Sequence, residues 1–233
     1  LFRSGQVTIR GIGTNVVFAG SDPSSAVYLD GVYLARPAMV LGSFLDLERL
    51  EVLRGPQETL YGRNAVGGAM NIVTRAPTGA LEASARLAAG NLDNVRFEGR
   101  VSGPLRRDRI MASAAFLRSS NKGFVQDLSH PDTPLGGENM TAARGKVLIV
   151  VNPRTDLTVA FDGSHNDGAP LTYAKVLAVK PGFKVDNPAD LYAVRSSFAA
   201  VSRQVQYGSS AKLAVRLPSG ATLTSLSAFR AVD

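Results

Sequence analysis

Thr141-Ala142-Ala143-Arg144-Gly145-Lys146-Val147-Leu148-Ile149-Val150-Val151, then Asn152-Pro153-Arg154, then Thr155-Asp156-Leu157-Thr158-Val159-Ala160-Phe161-Asp162-Gly163-Ser164, is the stretch on which the fold turns. In its first part Ala143, Gly145, Val147, Ile149 and Val151 oppose Arg144 and Lys146. In its second part Leu157, Val159, Phe161 and Gly163 oppose Asp156, Thr158, Asp162 and Ser164. A period of two places alternate side chains on opposite faces, so each part reads as a strand with one apolar and one polar face. The Asn-Pro-Arg between them is a short turn.

The same texture extends in both directions. Toward the N-terminus it recurs at 109–118, more weakly, at 95–102 (Val95, Phe97, Gly99 and Val101 against Arg96, Glu98 and Arg100), and at 81–89 (Leu81, Ala83, Ala85, Leu87 and Ala89 against Glu82, Ser84 and Arg86). Toward the C-terminus it recurs at 203–217, with Lys212 and Arg216 on the polar side, and at 221–230. That makes seven strand candidates, most about ten residues long. From the second strand onward short Pro-, Asn- or Gly-containing turns alternate with long polar links over 119–140 and 165–202. Strands of roughly 9–11 residues with one trimmed and one elaborated end suit a transmembrane barrel. A soluble β-sandwich with its charged face in water fits the alternation equally, and the thin aromatic content (no Trp, six Tyr) weighs against a barrel's interfacial girdle. Seven strands cannot close a barrel, and an open edge would leave backbone groups unpaired in lipid. The chain begins at Leu1 rather than Met, lacks a signal segment and ends within a strand pattern, so it is expected to be a piece of a longer protein.

Composition removes other classes. The longest apolar run is five residues, Val147–Val151, against the ~20 a membrane-spanning helix needs. Mean hydropathy is +0.04, and wholesale disorder is not expected. With no cysteine there is no disulfide framework, thiolate metal site or cysteine nucleophile, and two histidines cannot build a multi-histidine centre. The net charge is +7, of which residues 80–233 carry +6 (nineteen basic, thirteen acidic). The one tight basic cluster, Arg106-Arg107-Asp108-Arg109, sits on a turn without interleaved aromatics, so no nucleic-acid partner is expected. His130 and His165 fall in or beside the long links and read as solvated. Asp46, Glu48 and Glu51 read as surface charge, and Ser24 and Ser25 lack a nucleophile elbow. No catalytic constellation is present, and the chain is not expected to be an enzyme.

Residues 1–79 are irregular. Val7–Gly11 reads as a short strand. Asp30-Gly31 between Val27-Tyr28-Leu29 and Val32-Tyr33 is a strong hairpin signal. Leu45–Arg49 reads as one helical turn, Leu50–Arg54 as a strand stopped by Gly55-Pro56, Pro56–Leu60 as a short helix, and Ala69–Arg75 as a strand. Arg10-Gly11-Ile12-Gly13 lacks the third Gly of a dinucleotide fingerprint, and Gly62–Gly68 lacks the Lys of a phosphate loop.

Three stretches carry a resemblance: Val27–Tyr33, Leu47–Gln57 and Thr59–Thr74, the last two containing Leu53-Arg54-Gly55-Pro56, Leu60-Tyr61-Gly62 and Gly67-Gly68-Ala69-Met70-Asn71-Ile72. Together they resemble the plug domain of TonB-dependent outer-membrane receptors; Glu58 departs from the Gly common there. The resemblance implies an α+β plug over 1–79, followed over 80–233 by antiparallel transmembrane β-barrel strands, seven of an expected total of about 22. It implies a receptor for active uptake of a scarce nutrient, a ferric siderophore or similar metal chelate foremost, in the outer membrane of a Gram-negative bacterium. Energy would come from the TonB–ExbB–ExbD complex acting on a box before Leu1, and no cofactor is expected. The alternative is a soluble periplasmic β-sandwich binding glycan or protein.

By the same resemblance Arg10, Arg54 and Glu51 are plug–barrel contacts, with carboxylate partners expected in strands beyond this chain. Gly11, Asp30, Gly31, Gly55, Pro56, Tyr61, Gly62, Gly67, Gly68 and Asn71 are plug motif positions. Arg86, Arg96, Arg100, Arg144, Lys146, Lys212 and Arg216 fall on the polar strand faces. There they would line a wet lumen, either drawing in anionic chelates or pairing with plug acids.

Overall fold

The structure is a computed structural model and describes residues 7–13, 23–56, 64–169, 190, 192–199 and 201–233. Its first unit contains β1 (Ala26–Leu29), β2 (Val32–Tyr33), a 3-10 helix (Pro37–Phe44), β3 (Leu47–Arg54) and β4 (Gly68–Thr74). The sheet order is β2-β1-β4-β3, with β1 parallel to β4 and the other pairs antiparallel. The Asp-Gly hairpin forms as the sequence indicates: Asp30 and Gly31 have φ of 50° and 88°, matching the strand twist. Val27, Leu29, Leu34, Met39, Val40, Met70 and Ile72 close a small core.

Two expectations change. The helical turn lies at Pro37–Phe44, not Leu45–Arg49. Leu45 is extended, Asp46 turns the chain with φ 58°, and from Leu47 the backbone pairs with Thr74 and Val73 of β4. Val7–Gly11 is not a strand: Ile9 bridges Ile12 through a turn in which Arg10 and Gly11 have φ of 52° and 80°. The expected helix at Pro56–Leu60 lies outside the described residues beyond Pro56.

The second unit is a seven-stranded meander made of β5 (Glu82–Gly90), β6 (Asn94–Arg106), β7 (Ile110–Asn121), β9 (Glu138–Asn152), β10 (Thr155–Gly168), β12 (Ser202–Arg216) and β13 (Thr222–Val232). Every neighbouring pair is antiparallel, and β5 and β13 are the edges. All seven candidates of the sequence are present. The link 119–140 is shorter than its polarity suggested, because Ser120 and Asn121 pair with Asn139 and Glu138 and extend both strands. Backbone ladders accept polar residues that carry no alternation signal. At the end of the sheet where the long links lie, β8 (Gln126–Asp127) pairs in parallel with β11 (Ala193–Val194), so the two links dock on each other.

The faces of this sheet are inverted relative to a water-soluble one. On the outward face Leu87, Phe161, Leu223 and Phe229 are 71%, 59%, 63% and 58% exposed, while inward Arg144 and Lys146 are 4% and 7% exposed. Burying a large apolar side chain is worth about 1.5–3 kcal/mol. Water would therefore be a costly solvent for that outer face. No second sheet covers it among the described residues, so the β-sandwich alternative does not match this architecture. No helix among them is long and apolar enough to cross a membrane.

Candidate functional site

The inward face forms a wall against which the first unit leans, and the contacts follow the register. One transverse row runs Ser84, Arg100, Ala115, Arg144, Asp162, Gly208, Arg230 across all seven strands. The segment between the 3-10 helix and β3 sits on this row. Leu45 packs into an apolar recess formed by Ala115, Leu117, Met140 and Ala142, and its carbonyl accepts a hydrogen bond from Arg144. Next to it Asp46 lies 2.9 Å from Arg100, with only 2% and 8% of the two side chains exposed. The Arg100 guanidinium also donates to the Ala76 carbonyl at 3.0 Å.

Asp46 and Arg100 are close but poorly aligned, and Asp46 Oδ1 and Arg100 Nε have no hydrogen-bond partner among the described residues. Burial therefore dominates and raises the Asp46 pKa above its ordinary value, despite Arg100, Arg75, Arg144 and Lys146 pulling it down. A cavity of about 480 Å³ opens beside the pair, lined by Arg75, Arg86 and Glu98 among others.

Two residues along, a second contact joins the hairpin turn to the wall. Asp30 Oδ2 lies 2.8 Å from Lys146 Nζ, and the Asp30 carboxylate also accepts from the Thr74 amide (2.9 Å) and hydroxyl (2.6 Å). Burial alone would raise the Asp30 pKa, but Lys146 and Thr74 outweigh it and the net shift is downward. Lys146 also donates to the Thr74 carbonyl at 3.3 Å. Within the wall, Arg230 reaches across Gly208 to grip Asp162. A Cβ on Gly208 would stand 2.9 Å from the Arg230 guanidinium carbon, so the crossing needs glycine.

The remaining positions singled out from sequence fall elsewhere. Arg10 and Arg54 are exposed and make no ion pair among the described residues. Glu51 bonds Asn71 (2.9 Å) and Arg49 (2.7 Å) within the first unit's own sheet. Gly11 and Gly55 occupy turns, followed in the latter case by Pro56; the Gly67 amide bonds the Ser24 carbonyl. Gly68 has φ 138°, and a Cβ there would stand 2.3 Å from the Leu53 carbonyl oxygen. Tyr61 and Gly62 lie outside the described residues. Arg96 pairs with Glu98 on its own strand and Arg216 with Asp156 at 2.7 Å, both exposed arginines. Arg86 and Lys212 are exposed and line cavities. Asp46, read as surface charge, is the position the sequence hid: the Arg100 it meets lies 54 residues away in a different unit.

In the docked links Asp127 is buried and accepts from the Ser129 amide (3.0 Å), the Ser196 amide (3.2 Å) and the Ser196 hydroxyl. Burial would raise its pKa, but these bonds and His130 lower it to about 2. Ser196 Oγ and Asp127 Oδ2 lie 3.0 and 3.1 Å from the same ring nitrogen of His130, Nδ1. A catalytic relay uses two different nitrogens, so this is a structural knot. His165 bonds Asp167 at 2.5 Å. No group of three or more potential metal ligands converges among the described residues.

Set against known proteins, residues 2–69 match the family described as TonB-dependent Receptor Plug Domain. These residues are a TonB-dependent receptor plug domain. The plug-bearing chain is 29% identical to the pesticin receptor of Yersinia pestis over 146 residues, 61% of this chain and 21% of that protein. It is 31% identical to the ferripyoverdine receptor of Pseudomonas aeruginosa over 120 residues, 52% of this chain and 14% of that one. The fold superposes on the ferric yersiniabactin uptake receptor of Yersinia pestis with TM-score 0.78 at 20% identity, covering 91% of this chain and 32% of that chain. On the ferripyoverdine receptor structure the TM-score is 0.66 at 20% identity, with 97% and 30% covered. The chain thus spans about a fifth or less of those sequence relatives and about a third of those structures. The fold is that of a plug followed by the first strands of a receptor barrel, and the named relatives are receptors.

Proposed function

We propose that this chain is the plug (1–79) and the beginning of the barrel (80–233) of an outer-membrane receptor that takes up a scarce nutrient, a ferric siderophore or similar metal chelate, with energy from TonB and its ExbB–ExbD partners. The observation that carries this reading is the inverted sheet: apolar side chains outward, charged side chains inward against the plug. Such a sheet is stable with hydrocarbon on one side and a wet, occupied lumen on the other. The two open edges need further strands to satisfy their backbone groups in lipid. The nature of the contact supports release under load, since ion pairs and carbonyl bonds at Asp30, Leu45 and Asp46 can be replaced by water when the plug moves. Several relatives bind iron chelates by name, which favours that cargo here. Arg10, Arg54 and Glu51 remain proposed contacts with carboxylates or cations of other strands.

The test is uptake of radiolabelled iron, supplied as ferripyoverdine and as ferric yersiniabactin, by cells deleted for the encoding gene and complemented with it. Restoration of uptake by the gene only when TonB is intact is expected. Equal uptake without TonB, or a gene product that stays monomeric in water without detergent, would overturn the reading.

A further inference from the structure

Below the Asp30–Lys146 contact a cavity of about 410 Å³ separates the plug sheet from the wall. Its charged lining is Asp30, Glu48 and Arg49 from the plug side and Lys146 and Lys212 from the wall. Four of these five are paired: Asp30 with Lys146 at 2.8 Å, and Glu48 with Arg49 at 2.8 Å. Lys212 makes no ion pair among the described residues and is exposed to the cavity. Among the described residues the gap therefore holds one uncompensated positive charge, and a cleft with low-dielectric walls focuses such a field on anions.

The register gives this gap a direction. Lys146 pairs with Ala160, which pairs with Ser210; Lys212 pairs with Thr158. Lys212 thus lies one two-residue step, about 7 Å along the strand axis, nearer the end of the sheet that carries the short turns. The upper limit of the gap is a contact that can open cheaply. If Lys146 parts from Asp30, the carboxylate keeps both Thr74 hydrogen bonds, so the plug's own sheet need not unfold.

We propose that this gap is an anion passage through the plug–wall seam, with Asp30–Lys146 as its latch and Lys212 as the charge that selects an anionic cargo. The proposal rests on the receptor reading above and adds a route and a selectivity to it. Once the latch opens, Lys146 and Lys212 become two successive cationic stations on the way to the short-turn end.

The test uses the full-length product of the encoding gene in planar lipid bilayers under a potassium chloride gradient. Asp30→Asn is expected to raise conductance over the unsubstituted protein, with a reversal potential on the chloride side. Adding Lys212→Glu is expected to move that reversal potential toward potassium, whereas adding Arg86→Glu, which lines the other cavity, leaves it in place. An unchanged reversal potential with Lys212→Glu, or an equal shift with Arg86→Glu, overturns the passage. Should Asp30→Asn fail to insert, the same comparison is made between unsubstituted and Lys212→Glu proteins whose plugs are loosened with urea. Iron uptake reads the parent proposal separately: Lys212-dependent selectivity without chelate uptake contradicts the receptor reading alone, and uptake without such selectivity contradicts the route alone.

Discussion

Arg230 holds both carboxylate oxygens of Asp162, each at 2.7 Å, although β12 lies between their two strands. The bridge passes over Gly208, and each partner is 13% exposed. Removing one partner of a buried pair costs roughly 3–5 kcal/mol because the other is left charged and alone. Asp162→Asn is expected to lower the unfolding free energy of the detergent-solubilised protein by that order. Gly208→Ala, which crowds the guanidinium, should cost about 1–3 kcal/mol. In a double-mutant cycle the two should be strongly non-additive; simple additivity would mean that Gly208 acts on something other than the bridge.

Asp46 gives a pH dependence with a defined sign. Its pKa in the folded protein is raised above 3.8 by burial, so the folded state holds its proton more tightly than the unfolded chain. The stability it contributes is fully present below that ordinary value and is lost as pH rises through the raised one. Plug retention, read as the urea concentration that opens conductance, should weaken over that window. Asp46→Asn should flatten the dependence while keeping the shape of the side chain. A dependence that survives in Asp46→Asn would assign it to another group.

Asp127 has the opposite sign. Its pKa is lowered to about 2, so its contribution is present above the ordinary carboxylate value and disappears as pH falls through about 2. The difference corresponds to something on the order of 2 kcal/mol of local stability at neutral pH. Asp127→Asn should speed hydrogen exchange at the Ser129 and Ser196 amides without altering exchange in β9 or β10. Uniform acceleration across the wall would show that the docked links are not a separate unit.

How far the sequence revealed all this depended on whether the signal was local. Alternation in 141–164 is local, and so is the Asp30-Gly31 turn; both needed only neighbouring residues to be read. The 3-10 helix was misplaced because what ends it is pairing of Leu47 and Arg49 with β4, more than twenty residues later. Asp46 looked like surface charge because nothing near it in sequence betrays Arg100. The parallel pairing of Gln126–Asp127 with Ala193–Val194 lies inside polar links whose composition resembles any loop. Arg10 and Arg54 drew attention through the motifs around them, yet the described ion pairs of the seam run the other way, from plug acids to wall bases.

The outward face should also reject charge. Phe161→Arg or Leu223→Arg is expected to reduce folding stability in lipid vesicles by roughly 2–4 kcal/mol where the position lies near the bilayer midplane. Asp156→Asn, on the opposite face of β10, should change it far less. Equal tolerance of arginine at Phe161 would indicate that water, not hydrocarbon, meets that face.

The most direct measurement is a spin-label scan of β10 in the full-length protein reconstituted into bilayers. This chain has no cysteine, so once any cysteine elsewhere in the full-length protein is replaced by serine, each single-cysteine variant from 156 to 163 presents one thiol. A strand with one face in lipid and the other in the lumen gives a period of two. Labels at 157, 159, 161 and 163 should be relaxed by oxygen dissolved in lipid, and labels at 156, 158, 160 and 162 should be shielded from it. A flat profile, or relaxation of the label at 161 by a water-soluble nickel chelate instead of oxygen, would contradict it.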